Sequence, residues 1–111
     1  MRRDRQRLQD ILEAIERIER VAVQGKSAFE DDEMIQVWIL HHVQIIGEAA
    51  RGLSEDFRKE HSHIPWSVIV GMRNILVHDY FGIDPEEVWS AVERDLPALR
   101  DEVERILARN P

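Results

Sequence analysis

The chain has no cysteine, one tyrosine and, in 111 residues, only five glycines and four prolines. The missing thiol excludes disulfides, cysteine zinc sites and thiol catalysis, and nothing points to an oxidising compartment, so a cytoplasmic protein is expected. The scarcity of Gly and Pro leaves little material for the many turns of an all-β domain. Long apolar runs are missing as well. The run Val37 to Leu40 stops at His41-His42, and the opening Met-Arg-Arg-Asp-Arg leads into mixed charge, so neither a membrane span nor a signal peptide is expected. There is no Gly/Pro/Ser-rich linker and no internal repeat, so residues 1–111 are expected to fold as one domain around one core.

Basic charge is also in short supply. Fifteen Lys and Arg against twenty-two Asp and Glu give a net charge of −7, which opposes long-range attraction of a polyanion, so any nucleic-acid site must be local. Arg2, Arg3, Arg5 and Arg7 would form a basic tip on a first helix. On the plainest reading this is a solvated helix end, and in a dimer two such tips would flank a groove.

What is present is helical in pattern: 43% of residues are hydrophobic and 33% charged, a balance suited to amphipathic helices. From about residue 3 to 23, Leu8, Ile11, Leu12, Ile15, Ile18 and Ala22 recur at three- and four-residue steps. Gln24-Gly25-Lys26-Ser27 breaks that helix, with Gly25 suited to the left-handed backbone that ends helices. Asp31 and Asp32 offer N-caps for a second helix, from about 32 to 53. Its apolar residues wrap more than one face, so it needs both a core and a second surface, such as another subunit, to bury against. Gly47, Ala49 and Ala50 would let a neighbouring backbone come close.

Residues 54 to 63 are polar, with one short helical turn from Ser54, before Ile64-Pro65-Trp66 opens a third helix, from about 65 to 79, with Pro65 in its first turn. Asp84-Pro85-Glu86-Glu87 starts a fourth helix that runs to about 109. Within it Pro97 lacks the amide hydrogen for the bond to Glu93 and should kink the rod. Short connections between long amphipathic helices predict an all-α, antiparallel four-helix bundle with a short extra helix, paired as a homodimer.

Chemistry concentrates at residues 71 to 80, Gly-Met-Arg-Asn-Ile-Leu-Val-His-Asp-Tyr. With about 100° of rotation per residue, Asn74 and His78 are an i,i+4 pair, and Arg73 on the edge of the same sector can reach round to join them in one groove. Tyr80 falls where the helix should unwind before Gly82. Arginine is a permanent bidentate phosphate clamp, and histidine both gives and takes protons near neutral pH. In RNA the 2′-hydroxyl beside a phosphodiester is an internal nucleophile once a base removes its proton, and the leaving 5′-oxygen needs an acid. His78 suits both roles, Arg73 would stabilise the phosphorane, and Asn74 would orient the imidazole or bond the phosphate. One chain supplies one histidine here, so a two-fold dimer would let one His78 act as base and its mate as acid. The same Arg and His near a helix C-terminus also suit dipole and capping roles.

The string Arg73-x4-His78-x-Tyr80, with its setting through Phe81-Gly82-Ile83-Asp84, resembles the HepT-like branch of the HEPN superfamily. Ile46-Gly47-Glu48-Ala49, Ile64-Pro65-Trp66 and Asp95-Leu96-Pro97 also look like that family, and the likeness covers nearly the whole chain without departure from the motif. The resemblance implies the toxin of a prokaryotic toxin-antitoxin pair, a dimeric, metal-independent endoribonuclease that needs no cofactor and cuts RNA such as tRNA or mRNA. It implies a cognate MntA-like nucleotidyltransferase antitoxin that silences the toxin by transferring AMP to Tyr80. Arg73 and His78 then become catalytic, with Asn74 supporting. AMP on Tyr80 would occupy the position that the substrate phosphate needs. Glu48, a lone acid on an apolar stretch, is a supporting candidate that would pair with Arg73, or else a solvated or interface carboxylate.

Other constellations carry less. A carboxylate-bridged metal bundle needs paired Glu-x-x-His motifs, and the only match is Glu60-His61-Ser62-His63, in the stretch interrupted by Pro65. His41 and His42 are adjacent and point about 100° apart, so one should face the core or interface and the other solvent. Trp38, Trp66 and Trp89 read as core aromatics rather than a base-stacking platform. The rival from another class is a non-catalytic helical adaptor that binds a nucleotide or a nucleotidyltransferase partner, keeping Arg73 as a phosphate clamp without chemistry at His78.

Overall fold

The computed structural model describes residues 2–71 and 85–109, and every element among them is a helix. The first, α1 (Arg2–Ala22), buries Leu8, Ile11, Ile15 and Ile18 on one stripe, with the three isoleucines fully enclosed. Each such burial contributes about 1.5–3 kcal/mol against an exposed side chain. After it Gly25 has φ +94 and ψ 171, the only positive φ among the described residues. The sign of φ is the one expected, but the extended ψ makes this a reversal into the next element rather than a left-handed helix terminus.

That next element, α2 (Lys26–Asp31), is a short helix that periodicity does not reveal, because six residues complete less than two turns. It exists to bury Phe29, whose ring lies 5.5 Å from that of Trp89. Asp32 then serves two helices. Its backbone N–H closes α2 on Ala28 O at 2.9 Å, and its carboxylate caps α3 (Glu33–Arg51) by accepting the Met34 N–H at 2.9 Å. Gln36 Nε2 donates to the carbonyls of Phe29 and Glu30, which satisfies acceptors at the end of α2.

Helices α1 and α3 are antiparallel: Asp4 lies against Ser54 just beyond the end of α3, and Arg17 near the end of α1 lies against Trp38 near the start of α3. From α3, Ile35, Ile39, Val43, Ile46, Ala49 and Ala50 meet the α1 stripe. The short helix expected after Ser54 is α4 (Glu55–Glu60), and Ser54 Oγ caps it by accepting the Phe57 N–H at 3.1 Å. Helix α5 covers the described part of the third long segment, residues 66–71. Pro65 lies one position before it rather than in its first turn, and its carbonyl accepts the N–H groups of Val68 and Ile69, both at 3.1 Å.

The last rod comprises α6 (Pro85–Ser90), a π turn over Ala91–Asp95 and α7 (Leu96–Arg109). Its backbone remains helical through the junctions, with φ −59, ψ −41 at Ser90 and φ −67, ψ −42 at Leu96. The Leu96 N–H donates to Ala91 O, five residues back. Instead of a simple kink, the helix answers Pro97 by widening in the preceding turn, which absorbs the lost bond. Leu96, Leu99, Val103 and Ile106 present the buried face of α7. Arg100 fastens that helix to α1 through Glu19 and Glu16, while its Nε donates to Glu104 at 2.6 Å. Among the described residues no helix is long and apolar enough to cross a membrane.

Candidate active site

The motif residues Arg73, Asn74, His78 and Tyr80 lie outside the described residues, which reach Gly71 on one side and resume at Pro85 on the other. The described structure supplies the two flanks between which the motif is strung. On the approach, Trp66 is 6% exposed, and its indole N–H donates to His61 O at 3.0 Å while its ring stands 6.0 Å from that of Phe57. Ile64 and Ile69 are buried beside it. His63 Nε2 lies 2.9 Å from a Glu102 carboxylate oxygen, which ties the loop before α5 to α7. That hydrogen bond, with the charges of His63 and Arg105 behind it, holds the Glu102 carboxyl below the usual carboxylate range.

On the return, Val88 and Trp89 are buried on α6, with Trp89 against Phe29 of α2. Lys26 Nζ donates to Glu86 at 2.7 Å, and this hydrogen bond raises the lysine above its ordinary pKa, so α2 clasps the first turn of α6. The Trp89 Nε1 is buried with no hydrogen-bond partner among the described residues. Both flanks of the 72–84 segment therefore rest on a buried tryptophan, with the Lys26–Glu86 pair joining α2 to α6 on one side and His63 bonded to Glu102 of α7 on the other.

Glu48 is exposed on α3 and lines a groove of about 400 Å³ between α1 and α3, together with Arg7, Asp10, Arg17, His41 and Gln44. The sequence marks Glu48 as a lone acid on an apolar stretch; the structure puts it on the solvent side of that stretch. The adjacent histidines divide as their geometry requires. His42 is 3% exposed with Nδ1 2.7 Å from Trp38 O, and since a carbonyl can only accept, Nδ1 carries the proton. His41 is exposed.

Trp66 and Trp89 are core aromatics as expected, but Trp38 is not. It is 41% exposed, and its indole N–H donates to Arg17 O at 2.9 Å, so the ring lies along the surface of the α1/α3 pair. It belongs to an exposed apolar stripe with Met34, 82% exposed, and Val37, 46% exposed. Among the described residues there is no cluster of three or more His, Asp or Glu placed to share a metal ion. Sequence reasoning also missed the Asp4–Ser54 contact, whose partners stand 50 residues apart with no local signal to link them.

The family model described as Ribonuclease HepT-like matches residues 11–106. A Methanocaldococcus jannaschii protein named "Putative RNase" is 43% identical over 76 residues, covering 68% of this chain and 70% of its own. A Thermococcus cleftensis protein named "Probable ribonuclease HepT" is 38% identical over 102 residues, 89% of this chain and 91% of that one. A Caldanaerobacter subterraneus protein named "Putative RNase" is 36% identical over 110 residues, 98% of each chain. No solved structure matches.

Proposed function

Because this chain belongs to the HepT-like ribonuclease family, we propose that it is a metal-independent endoribonuclease acting as the toxin of a toxin-antitoxin pair. The observation that carries this reading is the family match across residues 11–106, which spans the whole Arg73-x4-His78-x-Tyr80 string. In the reaction, His78 of one protomer takes the proton of the 2′-hydroxyl, and the 2′-oxygen attacks the adjacent phosphorus. The bond to the 5′-oxygen breaks, and that oxygen leaves with a proton from the second protomer's histidine. The products are a 2′,3′-cyclic phosphate and a 5′-hydroxyl. Arg73 holds the equatorial oxygens, where charge grows most in the transition state, and Asn74 keeps the imidazole or the phosphate in register. Glu48 supports the site by pairing with Arg73.

The scheme needs two copies, and the Met34, Val37 and Trp38 stripe on α3 supports a homodimer, since one domain of this size gains nothing from leaving these side chains in water. Residues 1–111 act as a single domain, built as an antiparallel four-helix bundle from α1, α3, the segment entered by α5, and the α6–α7 rod. Silencing would come from an MntA-like nucleotidyltransferase. The Tyr80 phenol oxygen attacks the α-phosphate of ATP, pyrophosphate leaves, and the tyrosyl AMP sits where the substrate phosphate binds.

The test uses purified protein whose intact mass shows an unmodified Tyr80, incubated with labelled single-stranded RNA and tRNA in EDTA beside His78→Ala. Fragments ending in 2′,3′-cyclic phosphate from the wild type alone are expected. Intact RNA in both samples would overturn the nuclease reading in favour of a nucleotide- or partner-binding adaptor.

A further inference from the structure

The chemistry proposed at residues 73–80 makes no use of Arg3, Arg5 and Arg7, yet their setting is not that of a frayed helix end. Asp4 is the single acid among residues 1–9, and it faces inward, 4% exposed. Its two carboxylate oxygens accept the Ser54 N–H at 2.7 Å and the Ser54 Oγ–H at 2.8 Å. The one negative charge of this stretch is thus turned away from the surface, and the first turn of α1 is pinned to the N-cap of α4, where a free helix end would otherwise fray.

Arg7 packs on a glycine. Its guanidinium lies across the bare face of Gly52, where a Cβ would come within 2.7 Å of Arg7 Nε and 3.2 Å of Cδ and Cζ. Gly52 has φ −77 and ψ −8, so the backbone does not require glycine there, and a Cβ would displace only the far end of the Arg7 side chain. Arg51, at the end of α3, is exposed immediately before it, and Arg3 is exposed on α1. The Arg7–Asp10 pair is 4.0 Å apart on a surface open to solvent, a weak tie for a guanidinium. Of the carboxylates around it, Glu13 has Arg17 at 2.6 Å and Glu55 has Lys59 at 3.4 Å, while Glu48 lines the same groove as Arg7 and Asp10.

In a chain of net charge −7, Arg7 lies on Gly52 while exposed Arg3, one turn before it on α1, and exposed Arg51, next to Gly52, bring three guanidinium groups to the end where α1 begins and α3 ends. Arginine's planar fork matches phosphate oxygens. We propose that the Arg3, Arg7 and Arg51 end of the α1/α3 pair is a binding site for RNA backbone phosphates that anchors substrate away from the reacting bond. The inference rests on the ribonuclease reading and adds a second contact surface to it. Phosphate contacts set position without reading bases, so this site contributes affinity and no sequence preference.

The experiment measures binding of a fluorescein-labelled single-stranded RNA to full-length His78→Ala protein across a salt series, with and without Arg3→Gln, Arg7→Gln and Arg51→Gln together. Each lost phosphate contact lowers the salt slope by about 0.7, so the triple variant should lose about 2 in slope and bind roughly tenfold more weakly at low salt. Placed in the active protein, the same three substitutions should raise KM by a similar factor and leave kcat in place. Gly52→Ala, which fits the backbone but displaces the Arg7 guanidinium, should shift KM and slope the same way by a smaller amount, with circular dichroism unchanged. Unaltered affinity, slope and KM in the variants, beside a wild type that cleaves RNA, would overturn the anchoring site alone. A wild type that neither binds nor cleaves RNA would overturn the ribonuclease reading and this site with it.

Discussion

The two ends of the α1/α3 pair are built from the same two helices and are chemical opposites. Where α1 begins and α3 ends, a buried carboxylate locks Ser54, and Arg3 and Arg51 are exposed. Where α1 ends and α3 begins, Met34, Val37 and Trp38 are exposed, and Trp38 is held by its indole N–H on Arg17 O and by the His42 ring 4.4 Å away. Between them runs a continuous core from Leu8 to Ile18 that treats both ends alike. The lesson is that burial against α1 determines one face of α3 and leaves its other face exposed. On the readings proposed above, one end takes phosphate and the other a second copy of the chain.

The sharpest way to break this comparison is to charge the apolar end. Met34→Asp with Val37→Asp should leave the monomer fold intact, because Met34 is 82% exposed and Val37 46%, yet separate the proposed dimer by sedimentation. Cleavage should then fall roughly 100-fold or more through loss of one of the two proton-transfer groups. A dimer that survives both charges would move the interface elsewhere. Cutting the shared core should instead hurt both ends equally: Ile15→Ala, fully buried, should cost about 2–5 kcal/mol in urea unfolding.

Asp4→Ala touches only the basic end. It strands the Ser54 N–H and should cost about 1–3 kcal/mol. Hydrogen exchange should quicken in the first turns of α1 and in α4 while the Trp38 end keeps its protection. The smallest effect lies outside the pair, at His63–Glu102. Because the folded-state carboxyl of Glu102 titrates below its unfolded value, its contribution is present above the ordinary carboxylate range and is lost as pH falls through the folded value. The melting temperatures of wild type and Glu102→Gln should therefore differ slightly near pH 6 and converge in acid.

How far the sequence could be read follows the same division. Helices α1, α3 and α7 are long enough for their apolar residues to repeat, and the Asp32 and Ser54 caps sit directly before the helices they start, so all of these are legible. Helix α2 is too short to show a period, and the burial of Phe29 depends on Trp89, which is distant in sequence. The widened turn at Ala91–Asp95 and the exposure of Trp38 were also beyond a local rule, since proline foretells a lost bond but not how a helix absorbs it. The motif residues are the most legible chemistry in the chain, and they lie outside the described residues; of the candidate site, Glu48 alone has a described place, on the exposed side of α3. The Asp4–Ser54 lock and the Arg7–Gly52 contact come from chain segments that only the fold brings together.

The claim at the centre of this account is that one cut needs a His78 from each of two protomers. Wild-type protein mixed in rising proportion with His78→Ala and allowed to exchange subunits tests it directly. If both imidazoles act on one bond, activity follows the square of the wild-type fraction, so equal mixing leaves about a quarter of it. Activity that falls in simple proportion, with about half remaining, would contradict the shared site and return the chemistry to a single chain.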